Sequence, residues 1–341
     1  MKKKIKLDKF FFKKEALYSD SEKDDLEAAS FQFLSYSIAA HALCLIFDSG
    51  ILNILLTKDN FKEESIKNFN NPSLIKTALF TLMGANIVSW DNKCFYITKF
   101  GRSVAKKIGF ITLPLTGYRK LLSKQAELLE NPNSFKLSDI DFASIALSSI
   151  DFGSENLDPV LIEVFKQIKP KGTICDLGCG TGEKLVRICQ TTNSPGLGIE
   201  LSNSVIKESK KFTKKIPQIE IIKGNILSLN GIWEDVTVSM ISFVLHDIKT
   251  KKECAEILHS YQNHFPRMQY LLVIDIVSPS ETLTSIMPGF DYVHGLQGLT
   301  PRNYEETIET FKKAKYEILE ELEIKNMPNT FIWILEPDRS R

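Results

Sequence analysis

The residues best suited to chemistry in this 341-residue chain fall in a few places. The densest is Asp176-Leu-Gly178-Cys-Gly180-Thr-Gly182, an acid followed by glycines at every second position. Glycines permit a tight turn and let a ligand approach the main chain, and a helix starting just after them presents free N–H groups. A dinucleotide site would want G-x-G-x-x-G, with pyrophosphate on the helix end. Here the Asp176 carboxylate would repel pyrophosphate and would suit a cationic, phosphate-free ligand. Further along come His246-Asp247, Asp275 and His294, the last in a loop-like stretch running from Gly289 to Gly298. Histidine titrates near working pH and serves as a general base. His246, Asp275 and His294 together would make a triad with open positions, suited to iron or zinc.

The elements that must position these groups follow from hydrophobic spacing. Residues 174–177 form a short apolar run, and 184–189 have helical spacing with Leu185, Ile188 and Cys189 on one face. Residues 196–200 predict a second strand ending in Glu200, about 20 residues past the glycine turn, where an acid can bond both ribose hydroxyls. Residues 219–223 predict a third strand, followed by Gly224-Asn225, whose amide can accept from an adenine amino group. Residues 238–245 are apolar but for Ser239 and Ser242, as suits a strand buried on both faces, and lead into His246-Asp247. Residues 270–277 carry Asp275 near their end, and 316–322 with 330–335 predict a terminal antiparallel pair. The expected fold is α/β, a Rossmann-like seven-stranded domain with ligands at the carboxyl ends of its strands.

The first half reads differently. Residues 24–34 and 37–47 predict two helices, and Asn71-Pro72-Ser73 stops and restarts the chain. A helix at 74–83, a hairpin from 87–90 and 93–98, and a helix at 100–108 predict a winged helix. Residues 117–130 predict one amphipathic helix linking the halves and capping the pocket, with Tyr118 and Arg119 facing substrate. The expected division is a basic tail at 1–20, a helical and winged-helix domain at 21–115, a linker and cap at 116–150, and the ligand-binding domain at 151–341.

Bulk properties exclude little but point one way. A net charge of +1 and a charged fraction of 25% give no global pull toward nucleic acid or membrane surfaces. The apolar stretch 31–56 is interrupted by Ser35, Ser37, His41, Asp48 and Gly50, so no membrane span is expected. Six cysteines show no paired framework and no metal-ribbon spacing, which fits a reducing cytoplasm. A winged helix can bind DNA, but the positive charges at Lys76, Lys93, Lys99, Arg102, Lys106 and Lys107 are modest and mark no basic recognition helix.

The glycine turn resembles the first motif of the class I S-adenosylmethionine-dependent methyltransferases, in which the turn holds the methionine end of the cofactor. That resemblance implies cofactor contacts from Asp176, Gly178, Gly180, Gly182, Glu200, Asn225 and Phe243, although Asn225 stands where the class usually has aspartate. Helices plus a winged helix ahead of such a core are similar to the small-molecule O-methyltransferases of secondary metabolism, which implies a homodimer. Leu245-His246-Asp247 resembles the Leu-His-Asp-Trp segment of plant-type O-methyltransferases, where the histidine is the general base, with Ile248 replacing tryptophan. The glutamate those enzymes carry before the last helix is missing from residues 296–301. The set as a whole looks more like the α-keto acid C-methyltransferases, which bind a metal through two histidines. Across residues 25–337 the resemblance implies methylation of the β-carbon of a 2-oxo acid such as 2-ketoarginine, phenylpyruvate or a branched-chain keto acid. His246, Asp275 and His294 would hold iron or zinc, and Asp247 would take the C3 proton. The alternatives are O-methylation of a phenolic or hydroxylated acceptor with His246 as base, and a winged-helix DNA-binding regulator.

Overall fold

The computed structural model describes residues 20–281, 283 and 289–339, so all but the last residue of the expected basic tail lies outside the described residues. The chain divides into two compact units, the first ending at Ala105 and the second beginning at Lys106.

In the first unit, α1 (Asp20–Asp48) and α2 (Ile51–Lys58) lead to β1 (Asn60–Lys62). Then come α3 (Pro72–Gly84), β2 (Val88–Asp91), β3 (Cys94–Ile97) and α4 (Lys99–Ala105). The strands form a small antiparallel sheet in the order β1-β3-β2. Asn92 and Lys93 turn the hairpin with φ of 47° and 61°, the double left-handed pair that matches strand twist. Leu43, Ile46, Leu55, Leu79 and Phe95 are fully buried at its centre.

Two expectations are corrected here. α1 is one helix, not two, because serine hydroxyls bond back onto the helix instead of breaking it: Ser30 to the Leu26 carbonyl at 2.8 Å and Ser37 to that of Leu34 at 2.7 Å. Over Asp25–Asp48 this helix is long and apolar enough, by length and composition, to cross a membrane. It leaves Phe31, Phe33, Leu34 and Ile38 exposed in the single chain. The second correction is to the helix expected at 100–108, which stops at Ala105.

The second unit starts well before residue 116. Its leading helices are α5 (Ile108–Thr112), α6 (Arg119–Ser123), α7 (Gln125–Glu130), α8 (Phe142–Asn156) and α9 (Asp158–Ile168). The single helix expected over 117–130 is in fact a π turn at Leu113–Gly117 followed by the short α6 and α7. Nor is 116–150 a free-standing linker. Gly109 lies so close to α8 that a Cβ there would sit 2.6 Å from the Phe152 nitrogen and the Ser148 oxygen. Phe110 stacks on Phe152 at 5.1 Å, which packs this stretch against the sheet domain.

The sheet has seven strands: β4 (Thr173–Leu177), β5 (Gly196–Glu200), β6 (Ile219–Lys223), β7 (Val236–Ser242), β8 (Tyr270–Ile276), β9 (Tyr316–Glu323) and β10 (Thr330–Pro337). Their order is β6-β5-β4-β7-β8-β10-β9, with β10 alone running against the others, antiparallel to both β8 and β9. Between them run α10 (Glu183–Thr192), α11 (Asn203–Thr213), α12 (Lys251–His264), α13 (Phe290–Leu296) and α14 (Tyr304–Lys313). Every residue of β7 is buried, since helices cover both faces. On one face Tyr261, Phe265, Phe311 and Trp333 pack together; on the other Leu161, Phe165, Leu272 and Ile332 do. Each such side chain contributes roughly 2–3 kcal/mol by leaving water. Trp333 is fully buried, stacks on Phe331 at 5.3 Å and donates its indole N–H to Glu321 at 2.6 Å. Strand succession reverses direction at β4 and β7, which opens a crevice at their carboxyl ends.

Candidate active site

A cavity of about 830 Å³ occupies that crevice, a size suited to a cofactor with a small second ligand. It has two corners of different construction.

The first corner is mostly main chain. Gly178, Gly180 and Gly182 all have positive φ, 76°, 56° and 72°, a succession that residues with a Cβ rarely adopt. The turn ends at α10, and Glu200 ties it down: one carboxylate oxygen accepts from the Gly180 N–H at 3.0 Å, the other from the Ser202 N–H at 2.8 Å. Burial nevertheless pushes the Glu200 carboxyl above its ordinary range, against these bonds. Gly178, Gly180, Glu200, Asn225 and Phe243 line the cavity.

Two sequence expectations need adjustment at this corner. Asp176 is buried behind the turn, not on the cavity wall, and its Oδ1 has no hydrogen-bond partner among the described residues. Burial, opposed by Lys184, pushes its carboxyl up to about 6. Gly182 likewise stays off the wall and serves packing, because a Cβ there would meet Ile221 Cδ1 at 2.9 Å. The Asn225 Oδ1 accepts from the Leu227 N–H at 3.0 Å, which orients the amide on the wall and leaves a second lone pair and the Nδ2 donor for adenine.

Phe243 links the corners. It ends β7 earlier than expected, at Ser242, by taking φ 56°, a conformation that costs about 1–3 kcal/mol for a bulky residue. Its ring meets Phe152 edge-on at 5.6 Å, and the Lys184 ammonium lies 5.9 Å from its centroid. The strain turns the chain into a 3₁₀ turn, Leu245–Asp247, which carries the second corner.

This corner is built from side chains. Asp275, near the end of β8, is fully engaged by its neighbours: its Oδ1 accepts from His246 Nδ1 and from the Ile276 N–H at 2.8 Å, its Oδ2 from the His246 N–H at 3.0 Å. That fixes the His246 tautomer, with the proton on Nδ1 and the lone pair on Nε2. Asp275 therefore stands behind His246 and is not a third ligand, which corrects the expected triad. Its place is taken by Asp247. His246 Nε2 lies 3.9 Å from Asp247 Oδ1, and His294 Nε2 lies 3.5 Å from the same oxygen.

His294 also departs from expectation, because it sits on α13 and not in a loop. Its Nδ1 donates to the Phe290 carbonyl at 2.6 Å, leaving Nε2 buried and without a partner among the described residues. The three donor atoms of His246, Asp247 and His294 all lie within 4.8 Å of one another. Bonds of about 2.1 Å to one ion would place neighbouring donors about 3.0–3.4 Å apart, a modest contraction from this geometry. Burial opposes charge on His246, but Asp275 and Asp247 outweigh it and hold the imidazole above its ordinary range. Burial also opposes the Asp247 carboxylate, and His246 and His294 overcome that and hold it below the usual range.

The remaining wall is apolar, with Phe135, Leu137, Ile140, Phe290, Val293 and Leu299. Tyr118 faces the cavity, and burial with the nearby Asp247 raises its phenol. Arg119 is exposed and does not line the cavity, so its expected substrate role is withdrawn. Sequence reasoning missed Arg302, a buried guanidinium bonded to the carbonyls of Leu245 and Ile248. Nothing in its linker, Thr-Pro-Arg-Asn, signals that role.

Comparisons with known proteins agree with this architecture. A family model described as a methyltransferase domain matches residues 145–323. Indolepyruvate C-methyltransferase of Streptomyces griseus is 30% identical over 322 residues, spanning 92% of this chain and 96% of that protein. The mitomycin 7-O-methyltransferase MmcR superposes with a TM-score of 0.68 at 13% identity, covering 94% of this chain and 100% of that one. CalO1, a methyltransferase in calicheamicin biosynthesis solved in its SAH-bound form, gives 0.61 at 15% identity, with 94% and 100% covered. The two solved structures speak to the fold alone, whereas the family model and the curated relative speak to descent. The chain belongs to the methyltransferase-domain family, and it is an S-adenosylmethionine-dependent methyltransferase.

Proposed function

We propose that this enzyme methylates the β-carbon of an α-keto acid through its enolate, with a divalent or trivalent metal held by His246, Asp247 and His294. The observation that carries this reading is the buried Nε2 of His294, which makes no hydrogen bond among the described residues and lies beside Asp247 and His246. A buried lone pair left unmatched is costly, and two imidazoles with a carboxylate suit iron or zinc. The relative's printed activity, C-methylation of indolepyruvate, supports the same reaction class. A metal in this position supplies Lewis-acid stabilisation of enolate charge. The chain's own residues do the rest. Asp275 locks the His246 ring through Nδ1, and Phe290 does the same for His294. The half-exposed Asp247 offers its second oxygen to take the C3 proton. The apolar wall excludes water, and the glycine corner would hold S-adenosylmethionine, whose sulfonium would supply the methyl group and leave as the neutral thioether.

The substrate side chain is read as aromatic or branched, not guanidinium. Of the carboxylates on the wall, Asp158 and Glu183 are paired with Arg187, Glu200 is bonded to main chain, and Asp247 belongs to the imidazole cluster. A 2-ketoarginine side chain would find there, among the described residues, only the Asp158 Oδ1 without a hydrogen bond, on a carboxylate already paired with Arg187 through its other oxygen. The exposed apolar residues of α1 are read as the seam of a homodimer.

The test is turnover on indolepyruvate, phenylpyruvate, 4-methyl-2-oxopentanoate and 2-ketoarginine, before and after chelation and with iron or zinc restored. Activity on one of the first three that is lost to chelator and regained with metal is expected. Full activity in chelator on a phenolic acceptor would overturn the proposal and return His246, held by Asp275, to the role of plain base.

A further inference from the structure

Arg302 is 7% exposed, yet no carboxylate pairs with it among the described residues. Its guanidinium donates to two main-chain carbonyls, Ile248 at 2.8 Å and Leu245 more closely still. Those carbonyls bracket the 3₁₀ turn that carries His246 and Asp247. The same residue is anchored to the other elements of the corner. Its own carbonyl accepts from the Ser278 N–H at 3.0 Å, just beyond β8, and Ser278 Oγ bonds Asp291 on α13. Four residues before Arg302 along the linker, Gly298 takes φ 72°, and Leu299 donates to the His294 carbonyl at 3.0 Å. Asn303 then caps α14 with a reciprocal bond from Glu306. A cation placed on carbonyls rather than on an acid keeps its charge while fixing main-chain geometry. A small cavity of about 10 Å³, the room of one water, lies between Arg302, His246 and Asp275.

We propose that Arg302 is a positioning residue for methyl transfer, clamping the Leu245–Ile248 main chain so that His246 and Asp247 meet His294 from α13. The inference rests on reading His246, Asp247 and His294 as the acceptor site.

Its test uses Arg302→Ala and Arg302→Lys in the full chain. Cobalt(II) titration, followed by the visible absorption of the bound ion, reports the geometry of the three ligands without turnover. S-adenosylhomocysteine binding reports the glycine corner, and kcat is measured with and without millimolar guanidinium, which can enter the space left by the alanine. The expected result is cobalt affinity lowered about 10–100-fold, as for loss of a group that orients ligands. A comparable fall in kcat, unchanged S-adenosylhomocysteine affinity and recovery of kcat with guanidinium should accompany it. A folded Arg302→Ala with cobalt absorption and kcat within twofold of wild type would overturn the inference, as would a kcat loss that guanidinium does not reverse. If the alanine variant does not fold, Arg302→Lys decides: lowered kcat at unchanged cofactor affinity supports the clamp, and wild-type kcat refutes it. Should wild-type protein take up no cobalt, the metal reading fails on its own, and guanidinium rescue of kcat still judges Arg302.

Discussion

The two corners of the cavity handle charge in opposite ways. At the glycine corner a carboxyl is buried with an oxygen unmatched, and Asp176 is pushed up to about 6 as a result. At the imidazole corner the charges answer one another: Asp275 is saturated by His246 and main chain, while Asp247 is held below its usual range by two histidines. The first corner leaves the Asp176 Oδ1 unmatched behind the turn. The second is organised in advance, and only His294 Nε2 and the open side of Asp247 remain to be used. Binding of the cofactor and reaction with the acceptor are therefore separable by substitution.

The largest effect should come from His294→Ala. Methyl transfer should fall about a thousandfold, on the order of 4 kcal/mol of barrier, while calorimetry finds S-adenosylhomocysteine affinity unaltered. A parallel loss of cofactor affinity would break the separation of the corners.

Asp176→Asn should act on stability. The folded pKa, about 6, lies above the unfolded value of about 3.9, so the carboxylate form is disfavoured by folding. The penalty is absent below about pH 4, grows as pH rises through the folded pKa, and is constant above it, reaching at most about 3 kcal/mol. Urea unfolding of the apo-protein should find the asparagine variant more stable than wild type near pH 7.5, with the gap closing toward pH 4. A gap of constant size across that range would show that the carboxyl is not the cause.

Glu200→Gln should have the smallest effect, raising the KM for S-adenosylmethionine about tenfold through a weakened tie to the Gly180 N–H, with kcat on the acceptor held within twofold. A large kcat loss would mean that the glycine turn also sets the methyl group's approach.

The same contrast explains what the sequence made legible. The glycine corner is local: Asp176 to Gly182 are contiguous, and Glu200 follows one strand later, so spacing alone located it. Spacing could not tell that Asp176 points away from the cavity, because a strand end and its reverse look alike in a short buried run. The imidazole corner is assembled from β8, α13 and the turn after β7, and here pairing roles were exchanged. Asp247 and Asp275 are equally plausible ligands until the His246 ring is seen to face one with Nδ1 and the other with Nε2. The helix carrying His294 did leave a signal, Phe290, Val293 and His294 at helical spacing, but Gly289 and Gly298 suggested a loop. They are in fact its ends: Gly289 caps α13 at φ 77° and Gly298 lies just past it. Serines in α1 misled for the opposite reason, since their hydroxyls found partners within the helix. Arg302 left no trace, because its partners are carbonyls, which every residue has.

The burial of Trp333 has a practical consequence. The chain has three tryptophans: Trp90 exposed on the wing of the first unit, Trp233 half-buried against Phe265, and Trp333 sealed in the centre of the sheet. An indole in a dry environment emits further to the blue than one in water. The native emission spectrum is thus a sum of spatially assigned components: Trp90→Phe would leave only the second unit's tryptophans, and Trp233→Phe combined with Trp333→Phe only that of the first. With those two proteins, melting of the wing and melting of the sheet can be timed independently in one cuvette.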